Sequence, residues 1–299
     1  MLGCGDPSFT AALFAAAREV KRRCGRSDVL FRGLIETSNA CAKDCLYCGI
    51  RRSGAVVSRY RLAESEAVAC IAEARRRGYP AVAFQAGEVE SEANTAYYEA
   101  LLAHCRGLEV TLSLGEQTEE VYRRWKAAHV GIIRYLIRIE TSNRELYAKI
   151  HPADCSFDRR LDCIRTLKRL GYVTGSGVMI GLPGQTLRDL ARDIVFFGAE
   201  RLDMVGMGPY VPDARTPLGR GESPAGDERL ELSLRMIALT RLYLHDVNIV
   251  SATALETLDP AQGRARGIEA GANVVMPVLT PAQYARHYGL YPGKAAGSE

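Results

Sequence analysis

Short apolar runs alternate with amphipathic stretches of helical period along almost the whole chain. The runs predict strands at Leu30–Glu36, Ala81–Gln85, Glu109–Leu114, Ile132–Ile139, Thr174–Ile180, Met204–Gly208, Asn248–Ala252 and Asn273–Met276. Continuous hydrophobicity, without strict alternation, is the mark of strands covered on both faces. Between them the 3.6-residue period returns. Val68, Ile71, Ala72 and Ala74 carry it in the first intervening segment and Tyr122 and Trp125 in the third. Leu161, Ile164, Leu167 and Leu170 form a clean stripe in the fourth. Thr186–Phe197, Glu228–Leu244 and Gln262–Glu269 give the fifth to seventh, and Gly78, Gly171 and Gly271 each stand where a helix stops before a strand. Eight strands alternating with helices predict parallel βαβ units, hence an α/β fold of (βα)8 TIM-barrel type. Ahead of it, residues 9–24 read as a helix with Phe9, Leu13, Phe14, Ala17 and Val20 on one face. No linker or repeat divides residues 1–299. They are expected to form one domain, with a helical N-terminal extension over 1–29 and a loose tail over 295–299.

Composition narrows the picture. Of 299 residues, 47% are hydrophobic and 25% charged, as in a soluble globular protein. A net charge of +4 gives no reason to expect a nucleic-acid partner, which needs a concentrated basic patch. The runs Lys21-Arg22-Arg23 and Arg75-Arg76-Arg77 fall at predicted helix ends, where cations complement the dipole, and are expected to be solvated. No apolar run reaches the ~20 residues of a membrane span, and no basic-then-apolar leader opens the chain. A cytoplasmic location is expected, where thiols stay reduced.

That matters because three of the nine cysteines are clustered. Cys41, Cys45 and Cys48 stand at a CxxxCxxC spacing directly after the first strand. Three soft thiolates on one loop can hold three irons of a [4Fe–4S] cluster, leaving the fourth iron open to a small molecule. A zinc site would usually add a fourth ligand in paired spacing, and a disulfide framework would suit a secreted chain. Cys4, Cys24, Cys70, Cys105, Cys155 and Cys163 are spread out, with Cys70 and Cys163 on helical stripes as small buried hydrophobes. The five histidines show no HxH or HxxxH metal spacing and are taken as structural.

CxxxCxxC with an aromatic residue, Tyr47, before its last cysteine resembles the signature of radical S-adenosylmethionine (SAM) enzymes. RGLIETSNACAKDCLYCGIRR, QAGE, TLSLGE, RYLIRIET, GLPGQT, DMVGMGPYVP, GANVVMP and LYPGK together resemble the HydE-like branch, maturases of [FeFe]-hydrogenase. The resemblance runs from about Leu30 to Lys294. It implies a [4Fe–4S] cluster on Cys41, Cys45 and Cys48, and SAM as second cofactor. Active sites of such barrels lie at the C-terminal ends of the strands, so the polar residues ending each apolar run are the candidates. Tyr47, Gln85, Gly87, Glu88, Glu140, Arg160, Gly181, Leu182, Thr253 and Tyr291 are expected to bind SAM. Ala86, Thr111, Ser113, Arg138, Ile139 and Met207 are expected to line the substrate cavity. Met204, Pro209, Tyr210 and Met276 are expected around it, and Tyr288 and Tyr291 in a tail over the barrel mouth. For most of these a plain structural role is the competing reading, such as a capped βα turn for Gln85–Glu88 or a satisfied hydroxyl for Thr111 and Ser113.

The implied activity is reductive cleavage of SAM to a 5′-deoxyadenosyl radical that acts on a small-molecule or small organometallic substrate in the barrel. An electron donor such as ferredoxin or flavodoxin and maturation partners would accompany it. The alternatives are another small substrate, as in a methylornithine-synthase-like mutase or a biotin-synthase-like enzyme, and a non-enzymatic iron–sulfur carrier. Two departures bear on the substrate. Ala86 stands where the branch often has Ser, and Ile139 where it often has His. Both would make the cavity wall less polar.

Overall fold

The computed structural model describes residues 1–54 and 58–294, so the tail expected over 295–299 lies outside the described residues. Its strands are β1 (Leu30–Ser38), β2 (Ala81–Ala86), β3 (Glu109–Ser113), β4 (Ile133–Leu136), β5 (Val173–Ser176), β6 (Met179–Ile180), β7 (Met204–Pro209), β8 (Asn248–Ser251) and β9 (Val274–Val275). Neighbours pair in parallel from β1 through β5, β5 pairs β7, and β7, β8 and β9 lead back to β1. Eight parallel strands therefore close into the expected barrel. The run expected as one fifth strand is broken in two, and β6 is a short second piece against β7. Gly177 lies in the break, where a Cβ would come within 1.7 Å of the Gly206 carbonyl oxygen. Only glycine allows that approach.

The helices are α1 (Pro7–Arg23), α2 (Glu64–Arg76), α3 (Glu92–Ala103), α4 (Glu119–Ala127), α5 (Arg144–Ile150), α6 (Phe157–Arg169), α7 (Leu187–Ala199), α8 (Gly226–Leu244), α9 (Thr253–Leu258), α10 (Gly263–Glu269) and α11 (Ala282–Ala285). Side chains of Ser91, Thr118, Asn143, Ser156 and Thr186 accept from first-turn amides of α3 to α7. Each such cap contributes about 1 kcal/mol, and together they fix where the loops at the strand ends become helix. Between strands and helices lies an apolar layer in which Trp125 stacks on Tyr135, with ring centroids 6.3 Å apart, and meets Tyr98 edge-on.

Outside the ring, Leu13 and Ala17 of α1 pack against Ala238 of α8. Arg22 and Arg23 are exposed as expected, but the solvation expected of Lys21 is corrected here. The buried Lys21 ammonium donates to the carbonyls of Ile268 (3.1 Å) and Ala272 (3.0 Å) and so ties α1 to the barrel. Among the described residues no helix is long and apolar enough to cross a membrane.

Candidate active site

The loop after β1 is held by its own polar groups. Asp44 accepts from Arg51 Nε (2.7 Å), Ser53 N (3.0 Å) and Ser53 Oγ (2.9 Å). Arg59 Nη1 donates to the carbonyls of Asn39 (2.6 Å) and Ile50 (2.8 Å). The loop after β2 laces onto it, with Ala42 N donating to Glu88 O (2.7 Å) and Glu88 N to Cys41 Sγ (3.3 Å). Gly87 is expected to bring backbone close to a ligand. Its close approach is to the cysteine loop itself, since a Cβ there would lie 2.2 Å from Ala40 O and 2.7 Å from Cys41 Cβ.

Cys41, Cys45 and Cys48 all border one cavity of about 330 Å³ inside the C-terminal end of the barrel, within the usual range of small-ligand sites. None of the three is in a disulfide. Burial raises the Cys41 thiol and pushes Cys48 up to about 12. A hydrogen bond with Cys155 and burial raise Cys45. The three are thus uncharged thiols until iron takes their protons. Among the described residues no three His, Cys, Asp or Glu converge on one ion-sized point, whereas a cluster asks each thiolate to reach a separate iron. The donor set fits the cluster.

Around the cavity, charge is arranged in pairs. Arg138 grips Glu140 through Nε (2.9 and 3.0 Å) and Nη2 (2.8 Å). Burial works against the Arg138 charge, but the Glu140 carboxylate more than offsets it and raises its pKa. Glu140 holds a left-handed backbone, φ 64°, unusual for a residue with a Cβ. Beside the cysteines, Glu116 is fully buried and collects Arg160 Nε (2.6 Å), Arg159 Nε (3.1 Å) and Lys43 Nζ (3.7 Å). Glu88 lies 3.2 Å from Lys43 and 3.7 Å from Arg160, and burial raises its pKa despite both. At the tail, Lys294 pairs with the buried Glu36 of β1, and Gly49 N donates to Leu290 O (2.8 Å). The tail therefore packs directly on the cysteine loop.

Most of the expected residues meet here. Tyr47, Gln85, Ala86, Gly87, Glu88, Thr111, Ser113, Arg138, Glu140, Arg160, Thr253 and Tyr291 all border the cavity, with Pro209, Tyr210, Met276 and Tyr288. Thr111 Oγ1 is buried there without a hydrogen-bond partner, so its hydroxyl is free for a ligand. Five expected residues lie elsewhere. Ile139 points away, wholly buried in the outer apolar layer, because Arg138 and Glu140 take the inward positions on either side of it. Met207 likewise faces outward, with Gly206 and Gly208 bordering the cavity in its place. Leu182 packs with Leu146, Ile150 and Tyr210, and the amides of Gly181 and Leu182 donate to Gln185 Oε1 at 2.7 and 3.2 Å. Neither residue borders the cavity. Met204 is also buried off the cavity, receiving Arg32 Nη1 at its sulfur (3.5 Å).

Lys43, Glu116 and Lys294 were not among the expected residues. Glu116 had a signal, because an acid directly after Gly115 ends an apolar strand. Gly115 has φ 76°, and a Cβ on it would meet Glu88 Oε2 at 2.3 Å, so the glycine opens the path for the Glu88 side chain.

The family model described as the radical SAM superfamily matches residues 35–197, over half the chain. This chain belongs to the radical SAM superfamily. It is a radical SAM enzyme, and the [4Fe–4S] cluster and SAM of that family are its cofactors. The radical SAM chain is 43% identical to the [FeFe] hydrogenase maturase subunit HydE of Thermotoga maritima over 98% of its own length and 82% of that protein's. It is 26% identical to the 3-methylornithine synthase of Methanosarcina barkeri over 90% of its length and 75% of that protein's. The crystal structure of methylornithine synthase superposes with a TM-score of 0.81 at 22% identity, covering 92% of this chain and 79% of that one. The last likeness speaks for the fold alone.

Proposed function

We propose that this radical SAM enzyme acts as a HydE-type maturase, converting a small, organometallic iron species for the diiron centre of [FeFe]-hydrogenase. The observation that carries the reading is 43% identity to HydE sustained over 98% of this chain. Cys41, Cys45 and Cys48, which border the cavity, would hold the cluster. When bound, the cluster and SAM supply one-electron reductive cleavage of the SAM C5′–S bond, and hence the hydrogen-abstracting radical.

The chain's own residues bind and orient. Arg160, locked to Glu116 and to the Arg138 carbonyl (2.9 Å), is pre-set to present its remaining guanidinium edge to the SAM carboxylate. Glu140, Glu88 and the Gln85 turn offer acceptors for the SAM ammonium and ribose. Thr111 and Ser113 face substrate with free hydroxyl capacity. Tyr288, Tyr291 and Lys294 line the cavity from the tail side, where they would help keep water from a reactive radical. An electron donor such as ferredoxin or flavodoxin would serve from outside, and other maturases would take the product, in the cytoplasm.

Ala86 on the cavity wall favours a second reading, a related and less polar substrate on the same scaffold. Complementation separates the two. A HydE-deficient strain should recover hydrogenase activity with the wild-type chain. Recovery only with Ala86→Ser would point to the related substrate, and recovery with neither would refute the maturase reading.

A further inference from the structure

The spacing of the five histidines marks none of them for chemistry, yet His151 stands directly behind the cysteine loop. It is buried at the C-terminal end of α5, where its backbone amide donates to Tyr147 O (3.1 Å). Tyr147 stacks on its ring, with centroids 3.9 Å apart and planes 21° from parallel, and Phe157 stands edge-on to Tyr147 at 5.4 Å. One residue earlier, Ile150 O accepts from Leu46 N (3.0 Å), which joins α5 to the cysteine loop. His151 Nε2 then lies 3.2 Å from Tyr47 OH, with the two rings edge-on at 5.4 Å. His151 does not border the cavity, whereas Tyr47 does.

The other ring nitrogen decides the direction of the bond between His151 and Tyr47. His151 Nδ1 faces Tyr147 O at 2.9 Å. A carbonyl oxygen only accepts, so Nδ1 carries a proton. Among the described residues His104 is the one histidine paired with a carboxylate. A buried imidazolium without a counter-ion is costly, so the His151 ring is neutral. Its Nε2 is then a bare acceptor, and Tyr47 donates its phenol proton to it. The Tyr47 ring packs on Leu146, Ile150, Leu182 and Tyr210. Apolar packing holds a ring without direction; the bond to His151 supplies the direction.

We propose that His151 is a positioning residue of the SAM site and acts through Tyr47. As the Nδ1–H tautomer it takes the phenol's hydrogen bond and fixes the ring that Tyr47, between Cys45 and Cys48 in the chain, presents to the cofactor. The role in SAM binding rests on the reading of Tyr47 as a SAM residue; the bond and its direction do not.

The test has two arms. In the first, cluster-free full-length protein carrying isotope-labelled histidine is read by long-range proton–nitrogen correlation spectra. One imidazole should appear as the Nδ1–H tautomer, and its signal should vanish in His151→Gln. In Tyr47→Phe its Nε2 resonance should move to the position of an unbonded nitrogen. An Nε2–H tautomer at His151, or an Nε2 resonance that Tyr47→Phe leaves in place, would overturn the proposal. In the second arm, SAM binding to the anaerobically reconstituted enzyme should weaken roughly threefold to tenfold in His151→Leu, as loss of one hydrogen bond does, with iron content unchanged. His151→Gln, whose Oε1 can accept the same proton, should bind SAM as wild type does. Tyr47→Phe should match His151→Leu, and the double variant should lose no more than either. Additive losses would mean that His151 acts apart from Tyr47, and would overturn the proposal. Wild-type affinity in Tyr47→Phe, with the tautomer as expected, would refute Tyr47 as a SAM residue and the positioning role with it, leaving only the bond.

Discussion

Replacing Gly87 by alanine should unseat the cluster while leaving the barrel folded. The added Cβ would lie 2.2 Å from Ala40 O, 2.7 Å from Cys41 Cβ and 2.8 Å from the Ala40 carbonyl carbon, against a practical floor of 3.0 Å for real Cβ contacts. None of these is the end of a flexible side chain. The two loops must therefore part by about 1 Å, which costs about 1–3 kcal/mol as overpacking does elsewhere. The separation works directly against the bonds that join them, Gly87 N to Ser38 O (3.1 Å), Ala42 N to Glu88 O (2.7 Å) and Glu88 N to Cys41 Sγ (3.3 Å). A site that needs its ligands placed within about 0.5 Å does not tolerate such a shift. Anaerobic reconstitution should give clearly less iron per chain and an altered spectrum of the reduced cluster. The far-ultraviolet circular dichroism should stay close to wild type, with the melting temperature lowered by only about 2–10 °C, because the strain is confined to two loops. Wild-type iron content and spectrum in Gly87→Ala would refute the reasoning.

Arg160→Lys keeps a charge beside Glu116 but loses the fork. SAM affinity should fall roughly tenfold, as for loss of a desolvated bidentate contact, with the cluster spectrum intact; unchanged SAM binding would make Arg160 a structural residue. A third expectation concerns pH. The buried Asp193 of α7 accepts from Ser142 N and Oγ, both at 2.6 Å, yet burial pushes its pKa up to about 7. Native Asp193 then keeps its proton up to about pH 7 while the unfolded side chain releases it near pH ~4. The native state binds more protons across that window, so this residue's contribution falls as pH rises from ~4 through 7, by roughly 4 kcal/mol at most. Urea unfolding at pH 5 and pH 8 should show that loss in wild type and much less of it in Asp193→Asn; equal slopes in both would rule it out.

How much of this was legible in the sequence depends on what kind of signal each part leaves. The barrel strands were readable because a strand covered on both faces is a short apolar run, and the long helices because they carry a stripe. α9 and α11 were not, since helices of six and four residues are too short to show a period, and α5 was missed as well. The cysteine loop was readable from spacing alone, as were Thr111 and Ser113 from their shared parity on β3. Parity also misled. Met207 on β7 was assigned inward by chemistry, but the glycines on either side of it hold the inward positions. Lys43 and Lys294 act through partners remote in sequence, Glu116 and Glu36, and no local pattern announces such a pair.

The end of β4 shows how backbone and chemistry are linked. The apolar run continues to Ile139, yet the ladder stops at Leu136. Beyond it the chain keeps single bonds to the next strand: Ile137 N to Gly175 O (3.1 Å), Glu140 N to Gly177 O (3.0 Å) and Met179 N back to Glu140 O (3.0 Å). This path holds Glu140 in its left-handed conformation, which costs about 1–3 kcal/mol at a residue other than glycine. Gly177 makes the path possible by letting the Gly206 carbonyl approach. The surrounding bonds offset the strain, and the result is a carboxylate fixed at the cavity wall with Arg138 clamped across it. Ile139, trapped between them, is turned into the core and caps Ser176, whose Oγ accepts its amide at 3.1 Å. A histidine at 139 would place its imidazole in that apolar layer, not against substrate. Of the two positions weighed from the sequence, only Ala86 therefore lies on the cavity wall, and a single Ala86→Ser change is enough to test whether one added hydroxyl alters what the barrel accepts.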